Sequence, residues 1–204
     1  MSRLTMTSFL TLDGVMQSPG APTEDQSGSF PHGGWSFPFA DAQFGEFMTQ
    51  VFSRAGAFLL GRGTYQIFEA WWPRVTDPAD PIAGPLNRLP KFVASRTLDK
   101  VEWSGSSLIR DVPGELPRLK QQAGGELQVH GSPGLAQTLL QKELVDELNL
   151  LYFPIILGTG KRLFGSGTVP AAFELVATRS TSRGVVISTY RRSGRPSYGS
   201  FASE

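Results

Sequence analysis

The chain has 204 residues, of which 40% are apolar and 18% charged, with a formal net charge of +1. That is enough chain for one good core and little for two, and the near-neutral balance gives no basic field that would argue for nucleic acid. There is no cysteine, which excludes disulfides, thiolate metal sites and a cysteine nucleophile and fits a reducing compartment. The two histidines, His32 and His130, are too few for a histidine-rich metal site, so no metal is expected.

The N-terminal "MSRLTMTSFLTLDG" alternates apolar residues with Thr and Ser and has no long apolar core after the Arg, so it does not read as a signal peptide. No window approaches the ~20 apolar residues of a membrane span. The expectation is a cytoplasmic single domain over residues 1–192, followed by a polar tail over 193–204.

In chain order, residues 4–12 read as a strand ended by Asp13-Gly14. Residues 17–38, rich in Gly, Pro and Ser, form a long loop of the kind that is either a functional lid or disordered; its Phe30, Trp35 and Phe37 argue against a bare linker. Phe44, Phe47, Met48, Val51 and Phe52 fall at helical spacing within residues 39–54. "AGAFLLG" is a short buried strand, and "RGTYQIFEAWW" restarts a helix before Pro73. Residues 74–90 read as Pro-rich loop, "KFVAS" as a strand, and Leu108-Ile109 as a possible further one. Pro113 to Ala123 is a helix stopped by Gly124-Gly125. "ELQVHG" is a strand, and "SPGLAQTLLQKEL" a helix with a Ser cap and Pro at its first position. "VDELNLLYFPIIL" is a strand run. Residues 173–178 and 184–191 read as a closing antiparallel pair. This alternation predicts an α/β fold: a mostly parallel sheet, covered on both faces by helices and closed by antiparallel strands at one edge.

Three handovers out of strands share one chemistry: Gly61-Arg62-Gly63-Thr64, Ser95-Arg96-Thr97 and Gly131-Ser132-Pro133-Gly134. In a parallel sheet all three fall at the carboxyl edge, where α/β proteins bind ligands. Helix N-termini there offer unpaired N–H groups and a positive dipole end, and Gly lets the backbone approach a phosphate. Each feature has a plain alternative: the glycines can serve tight turning alone, and a single Arg is commonly a solvated cation. Three in one register point to a phosphorylated cofactor. Neither the dinucleotide fingerprint G-x-G-x-x-G nor a Walker A loop is present.

On these residues the chain resembles a known family. "TSFLTLDGVM", "FLLGRGTY", "FVASRTL" and "LQVHGSPGLAQTLLQKELVDELNLLYFPIILGTGKRLF" resemble the dihydrofolate-reductase-like superfamily, nearest to the branch of the C-terminal reductase domain of bacterial riboflavin biosynthesis. The similarity runs over residues 4–191. It implies an NADPH-binding three-layer fold, often dimeric. By the same resemblance, Gly61, Arg62 and Thr64 match the motif that holds the adenine-side phosphates, and Ser95 and Arg96 match the ribose 2′-phosphate pocket. Gly131, Ser132, Gly134 and Leu135 match the pyrophosphate turn, and Leu12, Asp13 and Gly14 the segment beside the nicotinamide. His130-Gly131-Ser132 departs from the Glu-Gly-Gly that riboflavin-pathway reductases carry there. Dihydrofolate reductases place an acid on the first helix, near which Asp41 falls.

The expected function is NADPH-dependent reduction of a planar N-heterocycle, a pyrimidine of riboflavin biosynthesis or a pterin. The alternative is a nucleotide-binding module that keeps the fold without turnover. Hydride delivery needs a proton source, and the candidates are Asp41, Asp13 and His32. Asp13 also reads as a turn residue, Asp41 as a helix cap, and His130 as a strand-end or local hydrogen-bond partner. Trp35, Trp71 and Trp72 read as core or rim packing, and Lys161 and Arg162 as a solvated loop or, for a substrate with a ribityl phosphate, as its partners. A homodimer is expected because only one helix and a short pair of strands remain to cover the apolar segment 148–157.

Overall fold

In a computed structural model, which describes residues 2–165 and 168–201, the N-terminal alternation forms β1 (Leu4–Thr11). Its Leu4, Met6 and Leu10 enter one apolar layer and Phe9 packs on the other. The remaining elements follow as α1 (Ala42–Ser53), β2 (Ala55–Gly61), α2 (Arg62–Trp71), α3 (Ala83–Arg88), β3 (Lys91–Ala94), β4 (Ser106–Ile109), α4 (Val112–Gln122), β5 (Glu126–His130), α5 (Pro133–Gln141), β6 (Glu147–Phe153), β7 (Ala172–Ser180) and β8 (Val186–Gly194). The strands form one sheet of order β4-β3-β2-β5-β1-β6-β8-β7. All pairings are parallel except β6 with β8 and β8 with β7. The mostly parallel sheet with antiparallel closure is therefore as the element pattern predicts.

Helices cover both faces, as parallel sheets require. Val112, Leu116 and Leu119 of α4 and Leu135, Ala136, Leu139 and Leu140 of α5 fill one core layer. Phe47, Met48, Val51 and Phe52 of α1, Tyr65 of α2 and Leu86 of α3 fill the other.

The sequence reading needs five corrections. The first helix begins at Ala42, because the Asp41 carboxylate accepts the Phe44 amide at 2.8 Å and caps it. The Pro-rich stretch 74–90 contains α3, whose start is set by the Asp80 carboxylate accepting the Ile82 and Ala83 amides at 2.9 and 2.7 Å. The strand run ends at Phe153, ahead of Pro154. The last strand runs to Gly194, two residues into the expected tail, whose residues 202–204 lie outside the described residues. Finally, β6 lies between β1 and β8, so Leu148, Leu150, Leu151 and Phe153 are buried by their own chain. The cover that the dimer argument held to be missing is present. Within the segment Ile156 stays exposed, and among the other exposed apolar side chains Leu175 and Val176 of β7 and Val186 of β8 lie on the antiparallel edge.

The long loop is held by specific bonds. The Gln17 amide group donates to the carbonyls of Asp25 and Ser27 and accepts the Lys161 amide, and the Trp35 indole donates to the Gln17 carbonyl at 2.7 Å. Phe30 and Trp35 are buried. Among the described residues no helix is long and apolar enough to cross a membrane.

Candidate functional site

The three handovers lie on neighbouring strands. β3, β2 and β5 are consecutive in the sheet and parallel, so Ser95-Arg96, Gly61-Arg62 and Gly131-Ser132 emerge side by side at one carboxyl edge. β1 follows β5, and it brings Leu12-Asp13-Gly14 to the same edge.

Ser132 joins the β5 turn to the β2 turn. Its hydroxyl accepts the Gly61 amide at 2.9 Å and donates to the His130 carbonyl at 3.1 Å, and its own amide donates to Thr64 Oγ1 at 3.0 Å. This corrects the expected Ser cap: the side chain turns away from α5 and staples β5 to β2. Gly131 and Ser132 are both left-handed, with φ of 54° and 58°. For Ser132 that conformation costs roughly 1–2 kcal/mol, which its three hydrogen bonds offset. Gly61 is needed for the approach, since a Cβ there would lie 3.3 Å from the Ser132 side chain. Leu135 anchors the far side of the turn by burying its side chain in the core.

The openings of α2 and α5 carry no side-chain cap and no acidic residue in the first turn, whereas α1 and α4 are capped by Asp41 and Asp111. A Cβ added at Gly63 or Gly134 would meet nothing within 4 Å, so both turns border open space. Arg62 and Arg96 are exposed beside them. The Arg62 guanidinium donates to Thr97 Oγ1 at 2.8 Å, which ties the β2 turn to the β3 turn. Ser95 Oγ accepts the amides of Thr97 and Leu98, and Arg110 donates to the carbonyls of Ser95 and Leu98 at 2.6 Å each. Arg110 was missed in the sequence; nothing marks it except its place after an apolar pair. Two uncapped helix openings, two exposed cations and glycines facing open space fit a phosphorylated dinucleotide such as NADPH.

The proposed acids are found in other bonds. Asp41 Oδ2 accepts the Ser182 hydroxyl at 2.8 Å and the Arg183 amide at 3.0 Å, so the β7–β8 turn closes over the start of α1. The Phe44 amide, followed by these bonds, holds the Asp41 pKa down at about 2. Asp13 accepts the Thr11 hydroxyl, the Leu157 and Gly158 amides and the Arg162 guanidinium. Burial opposes its charge, but these bonds together outweigh burial and hold it at about 2. His32 is exposed, with its ring edge-on to Phe30 at 5.7 Å. His130 is buried, stacked on Phe52 at 4.6 Å and bonded to Gln128 Oε1, and burial pushes its pKa down to about 4. Lys161 and Arg162, expected to be solvated, are both paired: Lys161 with Asp25 and Ser27, Arg162 with Asp13. Among the described residues no group of three or more His, Asp or Glu is placed to hold a metal ion.

Sheet order and helix cover together define a dihydrofolate-reductase-like α/β fold, with the uncapped openings of α2 and α5 at its carboxyl edge. The chain belongs to the RibD C-terminal domain family, whose sequence model matches residues 2–187. It is 25% identical over 194 residues to the uncharacterized protein YyaP of Bacillus subtilis (strain 168), covering 94% of this chain and 96% of that one. Among solved structures, a protein of Shewanella sp. PV-4 assigned to riboflavin biosynthesis superposes with a TM-score of 0.65 at 23% identity, over 93% of this chain and 98% of the other. A diaminohydroxyphosphoribosylaminopyrimidine deaminase/5-amino-6-(5-phosphoribosylamino)uracil reductase of Thermotoga maritima superposes with a TM-score of 0.61 at 15% identity, over 94% of this chain and 56% of the other. A pyrimidine reductase-like protein of Corynebacterium diphtheriae gives 0.61 at 13% identity, over 94% and 92%.

Proposed function

We propose that the chain is an NADPH-dependent reductase of a planar N-heterocycle, a pyrimidine of riboflavin biosynthesis or a pterin. One observation carries the reading: two uncapped, acid-free helix openings sit on adjacent strands, stapled by Ser132, with Arg62 and Arg96 exposed beside them. Family membership supports it.

On this reading NADPH, when bound, supplies a hydride to an electrophilic carbon of the ring. Arg62 and Thr64 hold the adenine-side phosphates. The Thr64 hydroxyl accepts from Ser132 and keeps its own proton for an anion. Ser95 and Arg96 hold the ribose 2′-phosphate, on a turn that Arg110 stiffens. The Gly131-Ser132 turn sets the opening of α5, where the amides of Gly134 and Leu135 face the pyrophosphate, and Leu12-Asp13-Gly14 line the reacting end.

The proton source follows from the two carboxylates. With pKa values of about 2, Asp13 and Asp41 are anions at neutral pH and have no proton to give. Asp13 positions the loop at residues 157–162, and Asp41 positions α1. The proton is assigned to His32 or to water entering the crevice. That absence of a protonated carboxyl also favours a second reading, a nucleotide-binding module without turnover.

NADPH oxidation followed by absorbance, with pyrimidine and pterin acceptors offered in turn, tests the proposal. Consumption with one acceptor class, lost in Arg96→Ala, supports the reductase. NADPH binding without oxidation by any acceptor supports the module.

A further inference from the structure

The substrate end of the crevice differs in character from the cofactor end. No Lys or Arg occurs between Arg3 and Arg54, a span that includes the end of β1, the long loop and all of α1. Over residues 12–41 the ionised candidates are Asp13, Glu24, Asp25 and Asp41. The neighbouring segment 154–165 carries two cations, Lys161 and Arg162, and the β7–β8 turn carries Arg183. All three are engaged: Lys161 Nζ lies 2.7 Å from Asp25 and 2.6 Å from Ser27 Oγ, Arg162 binds Asp13, and Arg183 donates to the Pro38 carbonyl at 3.0 Å. Drawing Lys161 or Arg162 to a ligand phosphate would break its ion pair with Asp25 or Asp13.

Aromatic rings take the place of charge there. Phe153 ends β6 beside Thr11, at the same carboxyl edge. Around it stand Phe9 at 5.5 Å, Phe44 at 6.0 Å, Phe39 at 6.1 Å and the buried Trp35 at 5.3 Å between ring centroids. Phe9, Phe39 and Phe44 are only half-buried, so part of each ring remains open. Half-open aromatic rings favour a flat π-system.

Resting on the reductase reading above, we propose that the substrate is an uncharged, planar heteroaromatic compound without a phosphate group. In this the chain departs from an enzyme acting on 5-amino-6-(5-phosphoribosylamino)uracil, the compound in the name of the Thermotoga maritima protein. The phosphate-reading charge is confined to the cofactor strands, and the substrate strands read a ring.

The test is calorimetric titration of the NADP⁺-loaded protein with three probes: that phosphoribosyl pyrimidine, its dephosphorylated form, and lumazine, a planar pteridine. NADPH affinity is measured first, and its absence defeats the reductase reading itself. With the cofactor bound, the two pyrimidines are expected to differ little, and lumazine to bind at least as well. Phe44→Leu is expected to weaken lumazine several-fold while leaving NADPH affinity unchanged, which also shows that the variant is folded. A phosphate that improves affinity by roughly tenfold or more, the scale of one charge-assisted contact, overturns the proposal. So does binding of none of the three.

Discussion

Ser132 and Gly61 come from different turns and meet at 2.9 Å, hydroxyl to amide, and this contact joins the two helix openings into one edge. Ser132→Ala should leave the Gly61 amide without its partner, at a cost of about 1–3 kcal/mol, and the variant still has to hold a left-handed residue. A lower melting temperature together with weaker NADPH binding is expected. A variant as stable as the parent would show that the staple contributes nothing.

Arg110 is expected to act through the turn it holds. It bonds the Ser95 and Leu98 carbonyls from the side chain, so Arg110→Met should loosen the turn that carries Arg96. The preference for NADPH over NADH should shrink, while NADH affinity changes little. Equal losses for both cofactors would indicate a general structural role.

Asp13 and Asp41 set an acid limit. Both pKa values fall from 3.8 in the unfolded chain to about 2 in the fold. A carboxylate with a depressed folded pKa contributes stability that is present above the unfolded value and is lost as the pH falls toward the folded one. The protein should therefore lose stability as pH drops from about 3.8 to about 2. Urea unfolding midpoints should fall less steeply over that window in Asp13→Asn and Asp41→Asn, from a lower starting stability. For Asp41→Asn at neutral pH, a lower melting temperature with turnover retained is expected from its place at the α1 cap. A hundredfold fall in turnover with cofactor binding intact, the scale of a lost general acid, would instead restore it as the acid.

A homodimer remains expected, on a different surface. β7 is an edge strand, almost wholly exposed, with Leu175 and Val176 open and Val186 open on its β8 neighbour. An unpaired edge with apolar side chains is a natural place for a second chain. Light scattering should give a dimer at micromolar concentration, and Val176→Lys should shift it to monomer. A monomeric parent protein would refute this.

The crevice was legible because its parts are local. Each of the turns Gly61-Arg62, Ser95-Arg96 and Gly131-Ser132 follows a short apolar run, and parallel topology then aligns them. What the sequence hid depends on contacts between distant segments. Asp13 is the turn residue it was read as, but its partners Leu157, Gly158 and Arg162 lie far along the chain and could not be seen. Gln17 orders a loop whose composition reads as irregular. The apolar run 148–157 looked uncovered because the position of β6 between β1 and β8 is set by long-range pairing. Helix α3 was masked by prolines, and the Asp80 bonds that start it carry only a weak sequence signal.

The central claim is that the edge formed by β3, β2 and β5 binds NADPH through Arg62 and Arg96. A fluorescence titration of the parent protein, Arg62→Ala and Arg96→Ala with NADPH and NADH tests it most directly. Hydrogen bonds to charged groups contribute ~1.5–3 kcal/mol each, so NADPH should bind roughly tenfold or more tightly than NADH, and Arg96→Ala should remove most of that preference. Arg62→Ala should weaken both cofactors. Equal dissociation constants for NADPH and NADH, or an Arg96→Ala variant that binds NADPH as well as the parent, would contradict the assignment.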